Sequence, residues 1–211
     1  YTFLAFSICC FLCTNAWATS TQRSSNKTDT SVTKSFRFGI KKTNSKEILI
    51  TSPLLYTPNT GYGFDFGTSS NVKINSNSFT TEKPTYFSVA VPEGNYRVEV
   101  TIGSPEKASN VTIKAESRRL MLNQFIVKKG EQLTKTFNVN IRSINIDATS
   151  KINLKDRDLT VFNWDDKLTL EFLGEIAVQS IKITPVTTIP VIYLAGDSTV
   201  TDQDVEPWAS W

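Results

Sequence analysis

The chain has no histidine. A Ser-His-Asp triad, a histidine-ligated metal and a histidine general base therefore cannot be assembled from these residues alone. Cysteine is nearly as scarce: Cys9, Cys10 and Cys13 are the whole complement. The rest of the chain accordingly has no disulfide framework, no zinc ribbon and no cysteine nucleophile. Charge of one sign is lacking too. Lys and Arg number 23 against 20 Asp and Glu, a net charge of +3 with no basic block. That balance does not support a nucleic-acid footprint, and no nucleic-acid partner is expected. The apolar run Phe3 to Phe11 is too short to cross a bilayer, and no integral membrane segment is expected.

What is present is a globular composition. The chain has 211 residues, 39% of them hydrophobic and 20% charged. That suffices for one all-β domain or two small domains with a real core. Tyr1 comes first and Met121 is the sole methionine, so the natural start is expected upstream. The uncharged run Phe3 to Phe11, followed by Ala16-Trp17-Ala18, reads as a signal-peptide core with cleavage after Ala18. A buried strand at a domain edge is the alternative. Export makes the protein secreted or periplasmic. The residues before the cysteines do not fit a lipoprotein site, which ranks a lipid anchor below plain export. Residues 19–35 hold Ser, Thr or Asn at 11 of 17 positions and read as a flexible leader.

From Phe36 to Thr188 the hydrophobic period is two. Phe87, Val89 and Val91 share one face. After Pro92-Glu93-Gly94-Asn95 the pattern resumes with Tyr96, Val98, Val100 and Ile102 inward and Arg97, Glu99 and Thr101 outward. These two runs predict a hairpin. Val111, Ile113 and Ala115 continue the series, with Thr112, Lys114 and Glu116 opposite. Leu133, Phe137, Val139 and Ile141 make another face, which Lys135 interrupts as an edge strand would. Leu168, Leu170 and Phe172 follow, then Ile181 and Ile183. The expectation is an all-β antiparallel β-sandwich, a jelly roll, over residues 36–188.

Tyr56, Tyr62, Phe64 and Trp164 are open to two roles. The four make a platform on which sugar rings stack, or, in the plainer reading, Phe64 and Trp164 are core anchors. Asp65 and the Asp165-Asp166 pair are oxygen donors of the type calcium takes, or ordinary acidic turn residues.

At residue 189 alternation stops. Ile189-Pro190-Val191-Ile192-Tyr193-Leu194-Ala195 is continuously apolar, as a strand buried on both faces would be. Gly196-Asp197-Ser198-Thr199-Val200 follows at once and puts a serine hydroxyl at the end of that strand, where α/β folds place their sites. Asp197 and Ser198 acting only as a turn or helix cap is the plainer reading. Glu206-Pro207-Trp208-Ala209-Ser210-Trp211 reads as a helix start. One parallel strand cannot stand alone, so residues 189–211 are expected to open a second, truncated α/β domain.

The stretch VIYLAGDSTVTDQDVEPWASW, Val191 to Trp211, resembles the first motif block of SGNH (GDSL-type) hydrolases. Within them it is most similar to the rhamnogalacturonan acetylesterase-like carbohydrate esterases. Upstream, Gly94 to Val98, Ala115 to Leu120 and Asn163 to Leu168 resemble the galactose-binding-like β-domain that precedes such esterases. The resemblance implies a flavodoxin-like hydrolase domain after the sandwich. It implies Ser198 as nucleophile and backbone oxyanion donor, Gly196 for the tight turn and Asp197 as turn support. Its substrate would be acetylated plant cell-wall polysaccharide, with no cofactor and no metal. The family's further oxyanion donors and its Asp-x-x-His pair lie downstream of this stretch, so the 211 residues alone are expected to be inactive. The alternative is a non-catalytic carbohydrate-binding sandwich.

Overall fold

The computed structural model describes residues 32–40, 46–196 and 200. The segment read as a signal peptide, 1–18, lies outside the described residues, as does most of the leader. Among the described residues twelve strands form two sheets. In chain order they are β1 (Lys34–Phe38), β2 (Ile48–Ile50), β3 (Tyr62–Asp65), β4 (Lys73–Ile74), β5 (Phe79–Thr81), β6 (Thr85–Ala90), β7 (Gly94–Ile102), β8 (Ser109–Ala115), β9 (Arg119–Val127), β10 (Leu133–Ile141), β11 (Lys167–Leu173) and β12 (Ile176–Pro185). The first sheet runs β10-β7-β12-β1-β2, with β5 on β12 and β4 on β5. The second runs β3-β6-β11-β8-β9. The expected β-sandwich is the fold observed. β1 starts at Lys34, inside the segment read as leader, because Lys34 and Ser35 pair with Ile183 and Lys182.

Alternation supplies the core. Tyr96, Val98, Val100 and Ile102 of β7 face Val111, Ile113 and Ala115 of β8 and Leu168, Leu170 and Phe172 of β11 across one buried cluster. Five further phenylalanines, Phe36, Phe38, Phe64, Phe79 and Phe87, fill the other half of it. Phe38 is fully buried and meets Phe79 at 4.7 Å, Phe87 at 5.4 Å and Phe64 at 6.1 Å between ring centroids. Edge-to-face rings add to the burial of such a hub. Phe38→Ala is expected to cost about 3–5 kcal/mol. A chemical denaturation midpoint shared with wild type would show that the cluster is not the anchor.

Two expectations change. The predicted hairpin is a crossover: β6 pairs with β3 and β11, whereas β7 pairs with β10 and β12. Both strands turn the same residues inward, so alternation alone does not separate a hairpin from an arch between sheets. The Tyr96 hydroxyl donates to the Pro92 carbonyl at 2.7 Å and closes that arch. In β12 a bulge falls between Val178 and Ser180. The extra residue, Gln179, shifts the phase, so Ile176 and Val178 on one side of it and Ile181 and Ile183 on the other all reach the core.

Lys135 is on an edge strand, as its break in the pattern predicts. Its ammonium lies 5.4 Å from the Phe125 ring centroid of β9, the edge of the other sheet.

Candidate functional site

β12 ends at Pro185, and the Val186 N–H donates to the Asn95 carbonyl at 2.8 Å. Beyond this the expected strand is not formed. Residues 186–196 form no strand, and Ile192, Tyr193 and Leu194 are 81%, 73% and 54% exposed. The reason is hydrogen bonding: a parallel strand needs neighbours, and no strand of the sandwich runs beside this one. The Tyr193 ring lies against the Arg142 guanidinium, 4.2 Å from the ring centroid. At Gly196 the constraint is space, since a Cβ would lie 2.8 Å from Val200 Cγ2. Asp197 and Ser198 lie outside the described residues.

One cluster of ionisable groups lies on the outer face of the second sheet. Asn163 to Leu168 and Ala115 to Leu120, far apart in sequence, are neighbours here. The Ser117 N–H donates to Asn163 Oδ1 at 3.0 Å. Lys167, first residue of β11, points outward. Its Nζ is 3.1 Å from Asp65 Oδ2 and 3.7 Å from Asp165 Oδ2, and 4.9 Å from the ring centroids of both Tyr56 and Phe66. With only 16% of the side chain exposed, Lys167 is caged between carboxylates and ring faces. An ammonium therefore stands where Asp65 and Asp165 would otherwise offer oxygen to calcium. Among the described residues no three His, Cys, Asp or Glu side chains are grouped to hold a metal ion.

Glu116 sits beside this cage, 2% exposed and with a left-handed backbone, φ 55°. Strand pairing explains its place. Its N–H donates to the Thr169 carbonyl at 2.8 Å, and its Oε1 accepts from the Thr169 N–H at 3.0 Å. Burial pushes its carboxyl up to about 8; the Thr169 N–H, Arg119 and Lys167 oppose this and Asp165 reinforces it. Burial also raises Asp165, against the pull of the Lys167 N–H and ammonium. The Tyr56 hydroxyl is raised by burial and by Asp166, Asp65 and Asp165. The sequence pattern marks Glu116 as outward, and so it is. It is nevertheless covered, together with Ser88, Thr169 and Lys114. Part of the cover is the β10–β11 connection, whose Phe162 packs on Phe66 at 4.2 Å and on Tyr86 at 4.8 Å.

The four aromatics singled out by sequence separate. Phe64 is core, and Tyr62 packs on Phe36 at 5.1 Å. Tyr56 belongs to the lysine cage. Trp164 is half-buried in a left-handed backbone, φ 65°, so it is not the core anchor expected. Phe66 and Phe162, which sequence alone did not mark, supply the rings of the outer face. Phe66 is 45% exposed. The cluster can hold charge and present ring faces and hydrogen-bond acceptors to a polyhydroxyl ligand.

No family model matches the chain, and no curated protein matches it. Among solved structures it is similar to the protein YxiM of Bacillus subtilis, at 19% identity and a TM-score of 0.52. The two share a fold. The similarity covers 81% of this chain and 46% of YxiM, so the chain spans less than half the length of that structure. An isomalto-dextranase of Arthrobacter globiformis T6 complexed with panose gives 12% identity over 58% of this chain and 21% of its own, at a TM-score of 0.30. TmCBM61 in complex with β-1,4-galactotriose gives 14% identity over 61% and 80%, at 0.21. Superpositions that loose carry nothing for this chain.

Proposed function

We propose that this chain is the β-sandwich and nucleophile-bearing segment of an exported carbohydrate esterase of the SGNH type, acting on acetylated pectic polysaccharide like the rhamnogalacturonan acetylesterases. The observation that carries the reading is Gly196-Asp197-Ser198-Thr199-Val200 directly after an apolar run, with Glu206-Pro207-Trp208 following. In this reading Ser198 Oγ attacks the acetyl carbonyl, and its proton passes to a base. The base is not a histidine of these 211 residues, which contain none. The tetrahedral oxyanion takes the Ser198 N–H. The sugar hydroxyl leaves as the alcohol, and water then releases acetate from the acyl-serine. Neither metal nor cofactor enters this chemistry. The exposure of Ile192 to Leu194 supports the reading, because so apolar a run calls for partners that the described sandwich does not supply.

A second reading, a carbohydrate-binding sandwich without catalysis, is favoured by the partly exposed rings of Tyr56 and Phe66 beside the Asp65 and Asp165 carboxylates. One experiment separates the two. The protein, expressed with whatever its reading frame encodes beyond Trp211, is treated with a fluorophosphonate that phosphonylates activated serines. The expected result is modification confined to the peptide containing Ser198, together with acetate release from acetylated pectin fragments before treatment and none after. An unmodified Ser198 with no acetate release would favour the binding module.

A further inference from the structure

A cleft of about 390 Å³ opens at the end of the sandwich where β12 begins. Four segments bound it: the β4–β5 hairpin with the short 3-10 turn Thr68–Asn71 before it, the β5–β6 turn, the β7–β8 connection, and the β11–β12 turn. Its volume lies in the range of ligand sites. The hairpin side offers hydroxyls and amides from Ser70, Asn75, Asn77 and Thr80. Ser104 faces them from the β7–β8 connection, with Ala108 and the buried Ile176 and Ala177 giving apolar surface.

The walls are fixed by internal bonds. Asn75 Nδ2 donates to Thr80 Oγ1 at 3.0 Å, and the Asn75 N–H donates to the Ser78 carbonyl at 2.8 Å. Ser104 Oγ accepts from the Glu106 N–H at 3.1 Å. Lys107 Nζ bridges Glu175 at 2.9 Å and Glu82 at 3.3 Å, tying the β7–β8 connection to the β11–β12 turn and to the β5–β6 turn. A site built this way loses little freedom on binding.

Charge decides the ligand class. Lys73, Lys83 and Lys107 in the lining are matched by Glu82, Glu106 and Glu175, and two of those carboxylates already hold Lys107. A polyanion gains nothing from such a lining. A neutral polyhydroxyl ligand does gain, because its hydroxyls donate and accept in turn against Ser and Thr hydroxyls and Asn amides. We infer that this cleft binds a neutral oligosaccharide segment and serves as an anchoring site apart from the Ser198 segment. β12 runs from Ile176 at the cleft to Pro185, where the chain leaves toward Gly196. At about 3.3 Å per residue that puts Pro185 roughly 30 Å from the cleft. The inference shares the carbohydrate reading above but not its nucleophile.

The test is electrophoresis of the whole protein through gels containing galactan, xylan or glucomannan, with polygalacturonate as the acidic control. Retardation is expected in at least one neutral polymer and not in polygalacturonate. Ala108→Trp and Ser70→Trp, each at an exposed position on a different wall, are expected to weaken that retardation at least tenfold. Ser198→Ala is expected to leave it unchanged, so loss of acetate release alone leaves the cleft standing. No retardation in any neutral polymer, retardation in polygalacturonate only, or wild-type retardation by either tryptophan variant with an unchanged thermal melt would overturn the inference.

Discussion

Ser198→Ala, made in the protein with its full reading frame, is expected to lower acetate release by several orders of magnitude while the thermal melt stays in place. The size follows from the chemistry. A serine that forms the acyl-enzyme cannot be replaced by a methyl group, and what survives is the residual rate from binding and oxyanion stabilisation. The plainer role for Ser198, capping a turn after Gly196, predicts something different. Losing a cap costs on the order of 1 kcal/mol of stability and touches no rate. The two outcomes do not overlap. A variant with near-wild-type kcat on a simple acetyl ester removes Ser198 from the chemistry and leaves the binding module as the better reading. The 211 residues alone are expected to release no acetate with either residue, because they hold no histidine to take the proton from the hydroxyl.

The strands were legible wherever one face meets the core and the other meets water. Tyr96 to Ile102 and Val111 to Ala115 read correctly because burial repeats every second residue. Pairing was not legible, because β6 and β7 present the same inward pattern whether they share a sheet or face each other. Gln179 could not be recognised as a bulge from its type; the only signal is that Val178 and Ile181 both need burial although they are three apart. The lysine cage was hidden for another reason. Asp65 and Lys167 are 102 residues apart, and each alone is an ordinary turn or strand-end charge. Asp165 and Asp166 drew attention as a possible cation site, and the cation that answers Asp165 is a side chain of the same protein.

Glu116 carries the second large effect. Its carboxyl sits at about 8 in the folded protein, well above the ordinary glutamate value near 4.5. Between those two values the folded state keeps a proton that the unfolded chain releases. Stability must therefore fall as pH rises through this window: the contribution is complete below about pH 4.5 and lost above about pH 8. A single proton gives a slope of about 1.4 kcal/mol per pH unit at most. Over the window the sum is at most about 5 kcal/mol, which in a domain of this size is a melting shift of roughly 10–20 °C. Other groups titrate too, Asp165 in the same direction. The difference between wild type and Glu116→Gln isolates the one carboxyl. Glutamine keeps an oxygen for the Thr169 N–H and carries no charge, so the two proteins are expected to melt together near pH 5. By pH 8 the variant should be the more stable, because the wild type must then either hold its proton against solution or bury a charge. Parallel melting profiles from pH 5 to pH 8 would mean that Arg119 and Lys167 hold Glu116 ionised throughout. In that case the residue acts as a salt-bridged strand lock and not as a buried acid.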